Sequence, residues 1–264
     1  MPHLLSRRNS RLALSLSCDM KRLVFLALVA GWSALSAAAA ARVYESGPAP
    51  VPLLELFTSE GCSSCPPAER WLSQRRDDDG LWREFVPVAW HVSYWDRLGW
   101  PDKFADKSYT ERQYAYASEW KARSVYTPGF VRGGEEWRVR DGQMLAAGEM
   151  VGGALSATVD GDTIEVSYSP PAGVISTDQL TVHVALLGSG IQSKVRAGEN
   201  RGKQLSHDFL VLRWRQADWG KGRAKLKLPT SELSDLAPRR AVAVWISAAN
   251  SPSPLQATGG WLGE

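Results

Sequence analysis

Cysteine is scarce in this chain: three in 264 residues, at positions 18, 62 and 65. A disulfide-scaffold fold needs several spaced pairs, so that class is excluded. Histidine is almost as rare, with four residues. A closed structural zinc centre, which takes four ligands, finds few donors to draw on. No G-x-S-x-G nucleophile motif accompanies His207-Asp208, which removes a hydrolase reading of that pair. A marked charge of one sign is missing as well. The formal net charge is +3, and five of the 31 basic residues (Arg7, Arg8, Arg11, Lys21, Arg22) against one of the 28 acidic (Asp19) precede Arg42. From Arg42 onward 26 basic and 27 acidic residues remain, a net charge of −1. Nucleic acid as a partner gains no support from charge.

What is present begins with a leader pattern. Met20 opens MKRLVFLALVAGWSALSAAAAARVYES. Lys21 and Arg22 form a basic n-region, Leu23 to Ala30 an apolar h-region, and the alanines to Ala41 offer small-x-small cleavage sites. Residues 1–19 read as an upstream extension before the true start, and 20–41 as a signal peptide. The competing reading is an uncleaved anchor, since the apolar stretch is just long enough to span a bilayer; the alanine-rich end favours cleavage. The expectation is a periplasmic or secreted chain with no stable membrane insertion after cleavage. Cys18 then falls in the leader, leaving Cys62 and Cys65 as the only thiols.

Apolar content is 44% and charged content 22%, ordinary for a globular protein. Residues 42–52, rich in Gly and Pro, read as an irregular lead-in. Val51 to Phe57 predicts a buried strand interrupted by Glu55, Ala68 to Gln74 a helix, and Phe85 to Val92 a second buried strand. Asp102 is the expected N-cap of a helix running to Arg123. Gly129 to Val139 predicts a strand–Gly-Gly–strand hairpin, and residues 141–151 a short helix. Beyond Gly152-Gly153 the pattern changes to alternating apolar and polar runs with turn signals such as Asp160-Gly161. Thr230 to Leu236 is the one helical candidate there. Residues 42–152 thus read as an α/β domain and 153–264 as an all-β, sandwich-like domain.

The stretch LLELFTSEGCSSCPPAERWL, Leu53 to Leu72, holds the chemistry. A C-x-x-C between strand and helix allows a redox pair, a metal site or a resting bridge. As a staple it closes a very small loop and constrains the unfolded chain little. As a redox pair it needs one thiol at lowered pKa, which positive potential at a helix mouth supplies, and a second thiol to resolve the mixed disulfide. Pro66 and Pro67 suit a first helical turn and place the cysteines in the turn before it. Cys62 is then the expected exposed, attacking thiol, with Cys65 more buried. A copper-handling alternative uses Cys62, Cys65 and His91, soft thiolates with an imidazole. Tyr94, Trp95 and Trp100 either line a groove beside the thiols or pack the loop against the helix. Arg196, Glu199, Asn200, Arg201 and Lys203 form either a solvated hairpin or a contact with the cysteine-bearing half.

Strand, C-x-x-C, helix and a later X-Pro before a hairpin resemble the thioredoxin fold. More closely, LELFTSEGCSSCPPAE, HVSYWDRLGW, VYTPGFVRGG and RAGENRGKQLSHDFLVL are similar to a family of secreted bacterial proteins classed as domain of unknown function 1223. The resemblance covers nearly the whole chain after the leader. It implies a thioredoxin-like α/β domain, thiol–disulfide exchange on protein or small thiols in the cell envelope, and no cofactor. It implies that Thr127-Pro128 is a cis peptide facing the thiols, with the Thr127 backbone open to a substrate. Glu55 nearly matches the buried acid of thioredoxins, offset by one residue, and reads as either a buried proton acceptor or an edge-facing residue. Gly61 and Ser63-Ser64 depart from the Trp and Gly-Pro of thioredoxins proper, which leaves the redox potential open.

Overall fold

The computed structural model describes residues 40–138, 151–173, 179–220, 222–230 and 235–263. The extension at 1–19, most of the signal peptide at 20–41, the short helix at 141–151 except its last residue, and most of the Thr230–Leu236 candidate lie outside them. No helix among the described residues is long and apolar enough to cross a membrane.

The described chain is mainly β. Its strands are β1 (Arg42–Glu45), β2 (Leu53–Thr58), β3 (Val86–His91), β4 (Gly129–Arg132), β5 (Glu135–Trp137), β6 (Ala154–Asp160), β7 (Thr163–Ser169), β8 (Leu180–Ser189), β9 (Ile191–Lys194), β10 (Gln204–His207), β11 (Leu210–Asp218), β12 (Arg223–Lys227), β13 (Arg239–Ala248) and β14 (Pro254–Leu262). Two α-helices, α1 (Pro66–Ser73) and α2 (Lys107–Glu119), accompany them. The strands form an eight-stranded sheet in the order β14-β13-β8-β11-β3-β2-β4-β5, a four-stranded sheet β1-β6-β7-β12, and the hairpin β9–β10.

This order overturns the expected thioredoxin-like α/β domain followed by a separate all-β domain. The strands flanking the cysteines, β2 and β3, share one sheet with β8, β11, β13 and β14 from beyond residue 152. Its seam is a short parallel pairing of β3 with β11, Leu210 opposite Ala89, with the Ala89 N–H donating to the Phe209 carbonyl at 2.8 Å. Pro87 shows how the seam is tolerated. Its nitrogen faces the same side as that of Ala89, at a level β11 does not reach, so no ladder bond is lost.

Both faces of the large sheet are covered. In β13, Val242, Val244 and Ile246 share a core with Leu155, Ala157, Val159, Ile164 and Val166 of β6 and β7. The alternate residues Ala241, Ala243 and Trp245 join the core that holds β2 and β3. Strand periodicity of two sorts them to opposite faces. On the second face the guanidinium of Arg112 lies 5.1 to 5.8 Å from the rings of Trp90, Tyr116, Trp214 and Trp245. Three of the chain's 12 tryptophans thus belong to a buried aromatic cage.

Local expectations fare unevenly. The hairpin at 129–139 is present as β4–β5, and Gly133 and Gly134 turn it with φ of 57° and 94°, a conformation other residues resist. Residues 42–45 are not irregular: β1 pairs with β6 over its full length. The long helix begins later than expected. Asp106 is its N-cap, accepting from the Ser108 N–H at 2.8 Å, whereas Asp102 is turned into the core.

Candidate functional site

Cys62 and Cys65 are joined by a disulfide, with Cα atoms 5.5 Å apart. The bridge sits in the turn between β2 and α1. Cys65 occupies the position before the first helical turn, and Pro66 and Pro67 take the first two helical positions. Two N–H groups that a helix mouth usually presents are therefore missing. The next two, Ala68 and Glu69, donate to the Cys65 carbonyl at 2.9 and 3.1 Å. The hydroxyl of Ser64 lies 3.4 Å from the Cys62 sulfur. Ser63 and Ser64 are exposed, but both cysteines are fully buried at 0% exposure. The exposed attacking Cys62 expected from the sequence is not what the fold presents.

The cover comes from the segment between β9 and β10. Asn200, itself fully buried, donates from Nδ2 to the carbonyls of Glu60 at 2.8 Å and Cys62 at 2.9 Å. Glu199 accepts from the Ser63 N–H at 3.1 Å. The polar loop at 196–203 thus contacts the cysteine turn. Gly61 is the other tight point: a Cβ there would lie 3.0 Å from the Trp95 Cβ, so a bulky residue has no room.

Close to the turn lies a buried acid–histidine cluster. Glu69, on the helical turn after Cys65, accepts from Thr58 Oγ1 at 2.6 Å and faces His207 Nδ1 at 2.8 Å. His207 Nε2 faces Glu60 at 3.2 Å, and Glu60 also accepts from Trp100 Nε1 at 2.6 Å. Carboxylates only accept, so His207 donates from both nitrogens and is an imidazolium. Burial would lower its pKa, but the hydrogen bonds and charges of Glu60 and Glu69 outweigh that and hold it at about 10. His91 Nδ1 meets Asp102 at 2.7 Å, and its ring stands 4.9 Å from that of His207. Burial would raise Asp102, but the charge and hydrogen bond of His91, with the N–H groups of Glu60 and Phe104, bring it down to about 2. Glu69, His91 and His207 each place a ligating atom within 4.8 Å of the others, all buried.

The remaining expected site residues are placed differently. Glu55 is fully buried, but it is bound on the α2 side by Arg112 at 2.6 and 3.0 Å, by Trp90 at 2.8 Å and by Tyr116. It is three residues before Thr58, so it points to the opposite sheet face from the Thr58–Glu69 bond. Its neighbours on the α2 side neutralise it. Thr127-Pro128 is a cis peptide, and Thr127 Oγ1 accepts from Trp95 Nε1 at 2.7 Å, which links it to the Gly61 contact. Trp95 and Trp100 are partly buried, Trp95 against Gly61 and Trp100 hydrogen-bonded to Glu60. His91 is grouped with His207 and Glu69, while the two cysteines are spent on one another. Sequence reasoning missed Glu60 and Glu69 and set His207 aside, while Asn200 belongs to the polar loop for which a contact with the cysteine-bearing half was one of two readings. Glu69 alone left a signal, four residues after Cys65 and hence on the same helix face.

Residues 53–247 match the family model described as a protein of unknown function, DUF1223. None of the curated proteins matches significantly. Among solved structures, a protein from Agrobacterium tumefaciens, a structural-genomics target, is 26% identical with a TM-score of 0.55, over 81% of this chain and 95% of that one. HBP35 of Porphyromonas gingivalis is 15% identical with a TM-score of 0.48, over 82% of this chain and 76% of that one.

Proposed function

The chain belongs to the DUF1223 family, and we propose that it is an exported protein that exchanges thiols and disulfides through Cys62 and Cys65. The observation that carries this reading is the position of the bridge. It sits at the start of α1, with the Ser64 hydroxyl 3.4 Å from the Cys62 sulfur. A substrate thiolate attacks the Cys62 sulfur, the Cys62–Cys65 bond breaks, and Cys65 leaves as a thiolate that takes up a proton. A second substrate thiolate then attacks the substrate sulfur of the mixed disulfide and frees Cys62. The protein gains two electrons and two protons, and the substrate becomes a disulfide. Run backwards, the same steps reduce a substrate. The leader pattern at 20–41 supports placement in the cell envelope, with protein or small thiols as substrates.

The burial of both sulfurs favours a second reading, a resting bridge that stays closed. The two separate in one experiment. Native protein is equilibrated with dithiothreitol–glutathione mixtures, and insulin reduction is assayed for wild type and Cys62→Ser. Exchange requires a measurable potential, turnover lost in Cys62→Ser, and a mixed disulfide trapped with Cys65→Ser. A bridge that resists dithiothreitol until the protein unfolds refutes exchange.

A further inference from the structure

The acid–histidine cluster has features that thiol chemistry does not use. His91 is fully buried, its Nδ1 is committed to Asp102 at 2.7 Å, and its Nε2 is buried with no hydrogen-bond partner. An unpaired buried ring nitrogen is costly unless something takes its lone pair. The cluster also holds three buried carboxylates, Glu60, Glu69 and Asp102, against two imidazoles. Three carboxylates to two imidazoles leave the cluster rich in anionic oxygen.

The geometry points to a divalent transition-metal site, zinc in the first instance, with His91 Nε2, His207 Nδ1 and a Glu69 carboxylate oxygen as ligands. Two imidazoles and one carboxylate make a donor set zinc accepts, with a fourth position left open. The supporting shell is already in place. Metal-binding histidines usually donate their other N–H to a carboxylate, which fixes the ring and raises its basicity. Asp102 does this for His91, and Glu60 does it for His207 at 3.2 Å. Phe104 closes the site with its ring 5.8 Å from His91 and 5.6 Å from His207. In the metal-free protein a proton between His207 Nδ1 and Glu69 stands where the ion would, and it leaves as the ion enters. The cysteines take no part, so the site stands independently of the exchange reaction.

The test uses chelator-stripped protein equilibrated with Zn2+ or Co2+, both in the native state and through refolding from denaturant, because the site is enclosed. The expected result is one ion per chain, a raised Tm with zinc, and visible cobalt bands of nitrogen and oxygen ligation without thiolate charge transfer. The Cys62→Ser/Cys65→Ser double variant keeps this behaviour. Asp102→Asn and Glu60→Gln weaken affinity roughly 10–100-fold, and His91→Ala abolishes both binding and the Tm response. Substoichiometric zinc, thiolate bands with cobalt, or full affinity in His91→Ala overturns the proposal. Should His91→Ala fail to fold, the wild-type cobalt spectrum and stoichiometry decide alone.

Discussion

The side-chain amide of Asn200 donates to the carbonyl of Cys62 at 2.9 Å, from 138 residues further along the chain. The same amide reaches the Glu60 carbonyl, so one residue holds both ends of the turn that leads into the disulfide. Asn200→Ala takes a donor from the Glu60 and Cys62 carbonyls, the second keeping only the Cys65 N–H at 3.3 Å, and a loss of about 1–3 kcal/mol is expected. Reduction of Cys62–Cys65 by dithiothreitol should accelerate, because the cover is loosened. Urea unfolding and the reduction rate check the two effects, and an unchanged reduction rate would show that Asn200 does not control access.

Glu55 is expected to act through the fold alone. Removing one partner of a buried ion pair strands a charge and typically costs about 3–5 kcal/mol. Arg112→Leu should therefore destabilise by that order. Glu55→Gln should lower Tm while leaving the Cys62–Cys65 potential unchanged. A shifted potential in Glu55→Gln would restore a proton-accepting role to this residue.

The metal-free protein should have a stability maximum with two limbs of different origin. His207 has its pKa raised to about 10 in the fold, against about 6.5 when unfolded. Its stabilisation is full below about 6.5 and is lost as pH rises through 10. His183 lies the other way. Burial, seconded by the Arg112 charge, holds its imidazole well below the usual range, so stability falls as pH drops below about 6.5 and the unfolded chain takes up a proton. Asp102, held at about 2, extends that acid limb from about pH 4 downward. The His207 limb and the Asp102 part should each amount to on the order of a few kcal/mol. Unfolding midpoints between pH 2 and 10 measure both, and His207→Gln should flatten the alkaline limb while leaving the fall below about pH 6.5 that His183 causes.

A chain ending at residue 152 should not fold alone. It keeps Cys62, Cys65 and α1 but loses β11, β8, β13 and β14 from the sheet, and with them Asn200 and His207. The cut exposes the β3 edge and the apolar residues Val88, Ala89 and Trp90, all buried in the whole chain. Far-ultraviolet dichroism without a cooperative melt is expected. A cooperative transition in this fragment would show that the β3–β11 seam is dispensable.

The sequence carried the local structure well and the long-range structure poorly. β2, β3 and the β4–β5 hairpin were legible because apolar runs and Gly133-Gly134 act within a few residues, and the family resemblance lay in long, specific motifs. The helix start was misread because Asp102 and Asp106 both precede helical residues; what separates them is that His91 and the Glu60 N–H claim Asp102. The shared eight-stranded sheet was invisible because the change of pattern at Gly152-Gly153 looks like a domain boundary, while the β3–β11 seam rests on one register pair. His207 was assigned to a separate β domain for the same reason, so its meeting with Glu69 and His91 could not be foreseen.

The long reach of the Asn200 clamp also orders events in time. A chain made from its N-terminus at ribosomal speed presents Cys62 on the order of ten seconds before Asn200 emerges. His207 follows later still. During that interval both sulfurs lack their cover and can meet an oxidant or a metal directly. The finished hairpin closes over whichever state the sulfurs have reached, and exchange in the folded protein has to displace it.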